Sequence, residues 1–222
     1  MTSRRTSDNW LWIAAAFSLG ISLTRWGPLV LYPFKLFTTW VHEVGHAVMT
    51  LIVGGSVTSI AIEPNTSGVT RSLIPQGRIA QGLVASAGYL GASIVGCGLM
   101  IAARGSKGAQ RILWAIGAFM LVTLVMWMRN PFGVAVVLGW SVALVALSHQ
   151  GGGRIAMFVL SLLAVQVALD SVYDIRVLFL IHGGHSDADT MATLFVLPAW
   201  LWATAWMLMS IGMLSWTLAR TR

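Results

Sequence analysis

Apolar residues occur in long runs that are separated by short polar segments along nearly the whole chain. The runs lie at about residues 10–31, 34–53, 79–103, 112–128, 132–148, 155–181 and 191–218. A helix needs roughly 20 mostly apolar residues to cross the hydrocarbon layer of a membrane. The pattern therefore predicts an all-α polytopic membrane protein with about six or seven transmembrane helices, in a single domain spanning residues 1–222.

Residues 54–78 do not follow this pattern. β-Branched and small residues alternate on both sides of a turn-forming sequence, Glu63-Pro64-Asn65-Thr66-Ser67-Gly68. This predicts a β-hairpin in which residues 57–62 pair with residues 69–73. Because an open strand edge is not tolerated in lipid, we expect the hairpin to lie at the membrane interface or to be sheltered by helices.

Prolines indicate where the apolar runs end or bend. Pro28 and Pro33 predict a break or kink between the first two runs, since proline lacks an amide donor. Arg129-Asn130-Pro131 predicts a tight turn between two short crossings. The first run has no persuasive signal-peptide cleavage site, so we expect it to be kept as a helix.

Composition supports a membrane protein and argues against both a water-soluble protein and a nucleic-acid-binding protein. Hydrophobic residues make up 57% of the chain and charged residues 9%, which is too apolar for an ordinary water-facing surface. Most of the 14 Lys and Arg residues are scattered singly near the ends of apolar runs, as expected for lipid headgroup contacts and not for nucleic acid. With Cys97 as the only cysteine, there is no intramolecular disulfide or thiolate metal cluster. We expect a multi-pass protein of the cell membrane.

The second apolar run contains the sequence His42-Glu43-Val44-Gly45-His46. Residues four apart share one face of a helix, so both imidazoles can bind the same metal ion. Glu43 can then act as the general base toward water that a zinc ion activates. Ionisable groups inside a membrane are costly and usually functional, which favours a zinc site over two histidines that merely pack in a core.

A catalytic zinc normally has three protein ligands, so a third is expected elsewhere. Four of the seven acidic residues are clustered near the end of the chain: Asp170, Asp174, Asp187 and Asp189. Asp170 and Asp174 lie near the C-terminus of a predicted helix, where the macrodipole disfavours negative charge. Because nothing structural favours them there, a functional role is suspected. Ser186 and Asp189 fit a capping box, which explains Asp189 better than Asp187. His182 and His185 are weaker candidates, because histidines in loops are usually surface residues.

The chain resembles the site-2 protease family of intramembrane zinc metalloproteases, in particular its small, divergent bacterial and plant branch. The resemblance covers residues 40–206 and rests on an ordered series of motifs: His42-Glu43-Val44-Gly45-His46-Ala47, Gly54-Gly55-Ser56-Val57, Ala87-Gly88-Tyr89-Leu90-Gly91, Tyr173-Asp174, Ser186-Asp187-Ala188 and Leu197-Pro198-Ala199-Trp200.

This resemblance implies roles for individual residues. It implies that His42 and His46 bind zinc and that Glu43 is the catalytic base. The family completes its site with an aspartate at the start of a later helix, usually in an L-D-G setting that this sequence lacks. Asp187 matches that position best, with Asp174 as the alternative.

The resemblance also implies how a substrate is held. In the family, the hairpin is thought to pair with the substrate as an added strand, here on the first strand with Val57, Ile60 and Ile62. We therefore expect a zinc metalloprotease that cleaves transmembrane segments of other proteins in the bilayer. The alternatives are a non-proteolytic scaffold or metal-binding protein that keeps the fold, a transporter, and a membrane peptidase with soluble substrates.

Overall fold

The computed structural model describes residues 2–102, 105–178 and 186–221, which form helices and one hairpin. The helices are α1 (Thr2–Ser22), α2 (Gly27–Ile52), α3 (Arg78–Ala102), α4 (Ser106–Trp127), α5 (Pro131–Gln150), α6 (Gly152–Leu178), α7 (Asp187–Phe195) and α8 (Ala199–Thr221). Strands β1 (Ser56–Ile62) and β2 (Gly68–Leu73) lie between α2 and α3. The expected combination of apolar helices with one hairpin is confirmed.

Five helices within the described part of the chain are long and apolar enough to cross a membrane: α3, α4, α5, α6 and α8. Helix α2 is also long, at 26 residues, but it carries Lys35 and the three polar residues of the zinc motif. The apolar part of α1, Trp10–Ser22, is shorter than a full crossing. The protein is thus a polytopic, all-α membrane protein.

Two breaks between helices fall at positions that the sequence did not predict. Pro28 lies in the first turn of α2, and Pro33 lies inside that helix, so the expected break is displaced to residues 23–26. Proline is tolerated in the first turn of a helix, because the amides there have no partner within the helix.

The last apolar run also differs from the expected single helix. It is divided into α7 and α8, because Val196 adopts a left-handed conformation with φ of 62° and Pro198 follows it. A residue that precedes proline is disfavoured in the α conformation, so α7 ends at Phe195 and α8 begins at Ala199.

The hairpin has the predicted pairing. Strands β1 and β2 are antiparallel, with Ile60 opposite Thr70 and Ile62 opposite Gly68. Its turn is attached to α2, since the Tyr32 hydroxyl donates to the Pro64 carbonyl at 2.7 Å and the Thr39 hydroxyl donates to the Thr66 carbonyl at 2.8 Å. The hairpin is therefore sheltered by helices, which is one of the two placements expected from the sequence.

Two groups of buried residues hold the helices together. The larger group joins α1, α2, β1, α3, α4, α5 and α6 around Phe37, Leu113 and Leu163. The smaller group joins α3, α6, α7 and α8 through Tyr89, Ile175, Met191 and Trp206. This second group fixes the short helix α7 against α3, next to the histidines of α2.

Candidate active site

Helices α2 and α7 bring three potential metal ligands together. The Asp187 Oδ2 atom lies 3.4 Å from His42 Nε2 and 3.3 Å from His46 Nε2, and the two Nε2 atoms are 3.0 Å apart. Potential ligand atoms of all three residues lie within 4.8 Å of one another. The two imidazoles come from successive turns of one helix, as their spacing predicts, and the carboxylate arrives from the other end of the chain.

His46 is oriented by the backbone of α3. Its Nδ1 atom lies 2.7 Å from the Val84 carbonyl oxygen, which can only accept a hydrogen bond. The Nδ1 atom must therefore carry a proton, so in the neutral form of the ring, which is the form that binds a metal ion, the lone pair is at Nε2, facing His42 and Asp187. Such a backbone contact fixes the tautomer of metal-binding histidines.

Gly88 makes this close approach of α3 to the histidines possible. A Cβ atom at Gly88 would lie 2.5 Å from the Nε2 atoms of both His42 and His46. A Cβ at Gly45 would lie 2.5 Å from the Ala87 carbonyl oxygen, so this position on α2 also has no room for a side chain. The two helices therefore meet through glycines directly at the site.

Glu43 is buried and faces the hairpin. The Thr70 hydroxyl lies 2.7 Å from Glu43 Oε2 and 2.9 Å from the Glu43 carbonyl oxygen. A Cβ at Gly68 would lie 2.5 Å from Glu43 Oε1. Strand β2 therefore packs directly against the expected general base.

Asp187 is the first residue of α7, and the residues around it form a helix cap. Ser186 accepts a hydrogen bond from the Asp189 amide, and Asp189 accepts one from the Ser186 amide, which is the predicted capping box. Burial alone would raise the pKa of the Asp187 carboxyl, but the facing imidazoles of His46 and His42 hold that pKa below its usual range. Asp187 is thus ionised, as a metal ligand must be.

Asp170 and Asp174 are the other acidic candidates for the third ligand. Asp170 lies away from the three ligands and accepts a hydrogen bond from the Thr38 hydroxyl at 2.7 Å. The side chain of Asp174 is outside the described residues, as are His182 and His185. Asp187 remains the third ligand that the geometry supports.

The site opens into a cleft of about 800 Å³. Polar side chains from α2, β2, α3 and α7 line it, including those of Thr39, Thr70, Gln81 and Thr190. A cleft with such a lining can hold water, even though the surrounding helices are apolar. It therefore has room both for water and for an extended peptide.

The donor set suits a catalytic zinc ion. Two neutral imidazoles and one carboxylate are typical of catalytic zinc, which keeps a further position open for water or substrate. The convergence of the three groups, the oriented His46 ring and the glycine beneath both rings all fit such an ion. Glu43 follows the first of these ligands directly in sequence and borders the same cleft.

The expected substrate-binding residues of β1 are wholly or partly buried. Ile60 and Ile62 are fully buried, and Val57 is half-buried against the main core. The outer edge of β1 is also occupied: the Arg129 amide donates to the Ile60 carbonyl, and Asn130 hydrogen-bonds to Ile62. The outer edge of β1, the strand predicted to pair with a substrate, is therefore already paired with the turn between α4 and α5 near Ile60 and Ile62.

Sequence reasoning also missed residues that shape the site. The sequence predicts Thr70 only as part of a strand, and it places Gly88 only within a motif of the family resemblance. Nothing in the sequence near Asn130 signals a contact with the hairpin. These roles depend on distant parts of the chain, so local patterns could not reveal them.

Comparison with known protein families gives a match. The model of the family described as Peptidase M50B-like matches residues 12–217. No curated protein matches the chain. No solved structure matches it either. Because the match spans nearly the whole chain and includes the site built by His42, His46 and Asp187, the protein belongs to the Peptidase M50B-like branch of the site-2 protease family.

Proposed function

We propose that this protein is an intramembrane zinc metalloprotease that hydrolyses peptide bonds in or near transmembrane segments of other proteins in the cell membrane. One observation carries the proposal: three metal-binding groups converge beside the buried carboxylate of Glu43, in a cleft bordered by a strand edge. The family membership supports the same class of reaction.

In this proposal, His42, His46 and Asp187 hold the zinc ion, and Glu43 moves the proton. Zinc bound there would supply Lewis acidity, which makes water nucleophilic near neutral pH and polarises a carbonyl oxygen. Glu43 accepts the proton of the attacking water and later donates it to the amine that leaves. Thr70 holds Glu43 in place through its hydroxyl, 2.7 Å from Oε2.

The free edge of β2 is the proposed place for the substrate backbone. Ile60 and Ile62 direct their backbone groups outward to residues 129 and 130. In an antiparallel ladder, the residues opposite them, Thr70 and Gly68, must then direct theirs to the other edge. That edge borders the cleft next to Glu43, so an extended peptide paired with it would lie beside the general base.

This arrangement also explains how a transmembrane helix becomes a substrate. In a helix, every backbone amide is already hydrogen-bonded within the segment, and unpaired groups are costly in the membrane. Pairing with β2 compensates a locally unwound stretch for its lost hydrogen bonds. The substrate class is therefore a membrane segment that unwinds readily, for example at glycine or proline.

Replacing Glu43 with glutamine tests the proposal. The variant should keep zinc at wild-type stoichiometry and lose about 10²- to 10⁴-fold in cleavage rate, because it retains the ligands but not the base. The matched control is Glu63→Gln, which removes the other glutamate of the chain at an exposed position in the hairpin turn. Membrane proteomes of cells with either variant identify the substrate, which should accumulate uncut only with Glu43→Gln.

The opposite result supports the rival function of a metal-binding scaffold. If purified wild-type protein binds zinc but membrane proteomes of the wild type and Glu43→Gln are identical, proteolysis is refuted. A scaffold has no use for a carboxylate that can move a proton, so its partners should bind both forms equally.

A further inference from the structure

The turn between α4 and α5 contacts the hairpin in the manner of a short strand. Met128 forms a parallel β-bridge with Ile60, and the Arg129 amide donates to the Ile60 carbonyl at 3.2 Å. The Asn130 side chain continues the pairing with two hydrogen bonds to the backbone of Ile62. Three successive residues thus pair with the outer edge of β1.

The side-chain amide of Asn130 takes the place of a backbone peptide group in the pairing with Ile62. Its Nδ2 atom donates to the Ile62 carbonyl at 2.6 Å, and its Oδ1 atom accepts from the Ile62 amide at 3.2 Å. The next residue, Pro131, starts α5 and has no amide hydrogen. A carboxamide carries one acceptor and two donor hydrogens, so it can replace a peptide group in a strand pair.

The glycine at position 133 leaves room for the contact between Asn130 and Ile62. A Cβ atom at Gly133 would collide with Asn130 Oδ1 and would lie 3.3 Å from the Ile62 amide nitrogen. Gly133 is buried in the first turn of α5. A larger residue there would displace the Asn130 carboxamide from Ile62, so Gly133 and Asn130 form one unit.

The consequence for the hairpin is that it is held from both sides. On one side, Asn130 closes the edge of β1; on the other, the Thr70 hydroxyl of β2 bonds to Glu43. An unpaired strand edge is unstable next to lipid and open to wrong partners. With β1 closed, β2 is the edge of the described hairpin that remains open, and its distance from the site is fixed.

We propose that Asn130 is a positioning residue, which acts as a resident strand on β1 and thereby holds β2 against Glu43 and directs the substrate to the β2 edge. This inference rests on the proposed proteolytic function. Asn130 itself touches neither the metal ligands nor, in this proposal, the substrate. Its effect is transmitted through Ile62 and the strand pair.

The test compares Asn130→Ala with Ser141→Ala in zinc-loaded protein. Each variant removes side-chain hydrogen bonds: Asn130→Ala removes the two bonds to Ile62, whereas Ser141→Ala removes the bond from the Ser141 hydroxyl to the Gly117 carbonyl at 2.6 Å, between α5 and α4. Only Asn130 contacts the hairpin. Three quantities are measured for each: zinc per chain, amide hydrogen exchange of residues 56–73, and the rate and position of cleavage in a substrate found with Glu43→Gln.

Asn130→Ala should keep its zinc but lose control of the hairpin. Exchange of the Ile62 amide should accelerate about 10-fold or more, and cleavage should slow by about 10- to 100-fold and spread over neighbouring bonds. Ser141→Ala should change exchange in the hairpin and the cleavage position little. Cleavage at several bonds is not a result that general instability would give.

A second variant keeps the inference testable if Asn130→Ala does not fold. Gly133→Ala retains Asn130 but displaces its carboxamide, so it should reproduce the faster exchange and the imprecise cleavage. Wild-type exchange and cleavage in both zinc-loaded variants would overturn the proposal. If the wild type itself cleaves nothing, the proposed function fails, whereas hydrogen exchange still decides whether Asn130 holds the hairpin.

Discussion

Gly88 lies directly beneath the two imidazoles of α2, where no side chain fits. Because a Cβ there would lie 2.5 Å from both Nε2 atoms, Gly88→Ala must displace His42 and His46 from each other or from Asp187. We expect the affinity for zinc to fall by about 10-fold or more. Equilibrium dialysis of the purified variant against buffered zinc measures this directly.

Gly98 provides the control on the same helix. A Cβ at that position meets nothing within 4 Å, so Gly98→Ala should leave zinc binding unchanged and stabilise α3 by up to about 1 kcal/mol. Zinc affinity in Gly88→Ala equal to that of the wild type would show that the α2–α3 contact is looser than the structure indicates.

Single residues differ in how far their roles follow from the sequence. His42 and His46 are one helical turn apart, so helix geometry alone predicts that they share a ligand. Asp187 was one of two candidates suggested by the family resemblance, and only the fold brings it to the histidines. Thr70 and Gly68 touch Glu43 because the hairpin folds back on α2, and no local pattern contains that information.

Helix α7 is a short element whose position depends on its cap. The capping box of Ser186 and Asp189 fixes the first turn, in which Asp187 is the first residue. Ser186→Ala should cost about 1 kcal/mol of stability and should weaken zinc binding by about 10-fold, because Asp187 then loses its fixed direction. Chemical denaturation and zinc titration of the same preparation check both effects.

Thr193 lies in the same helix and allows a control. Its exposed hydroxyl donates to the Thr190 carbonyl at 2.7 Å. Thr193→Ala should therefore leave zinc affinity unchanged. A Ser186→Ala variant with reduced stability but wild-type zinc affinity would contradict the idea that the cap aims Asp187.

Elements were predicted more reliably than the breaks between them. The hairpin and the long apolar helices follow from residue periodicity, which is a local property. The α2 helix continues through Pro33, where the Trp140 indole donates to the Pro33 carbonyl at 3.0 Å. Helix α7 ends at Phe195 because Val196 adopts a left-handed conformation, which is rare for a β-branched residue and is not indicated by the sequence.

At the scale of the whole molecule, the site joins the N-terminal and C-terminal parts of the chain. The histidines belong to α2, which packs in the larger core, whereas Asp187 belongs to α7, which packs in the smaller one. Helix α3 contributes to both cores and runs beneath the site. The Ser93 hydroxyl of α3 also lies 2.7 Å from the Ser210 hydroxyl and 3.2 Å from the Ser171 hydroxyl, which ties α8 and α6 to it.

A bound zinc ion should therefore stabilise the protein by linking α2 to α7. Ligand binding to the folded state alone adds about 2.7 kcal/mol when free zinc is 100 times the dissociation constant. Removing zinc with a chelator should lower the melting temperature in detergent, and adding zinc should restore it. Hydrogen exchange should locate the change, because residues 187–195 should become less protected without zinc while α4 and α5 stay the same. His46→Ala, which lacks one ligand, should melt at the same temperature with and without zinc; a zinc-dependent rise of the wild-type size in that variant would mean that the ion binds elsewhere.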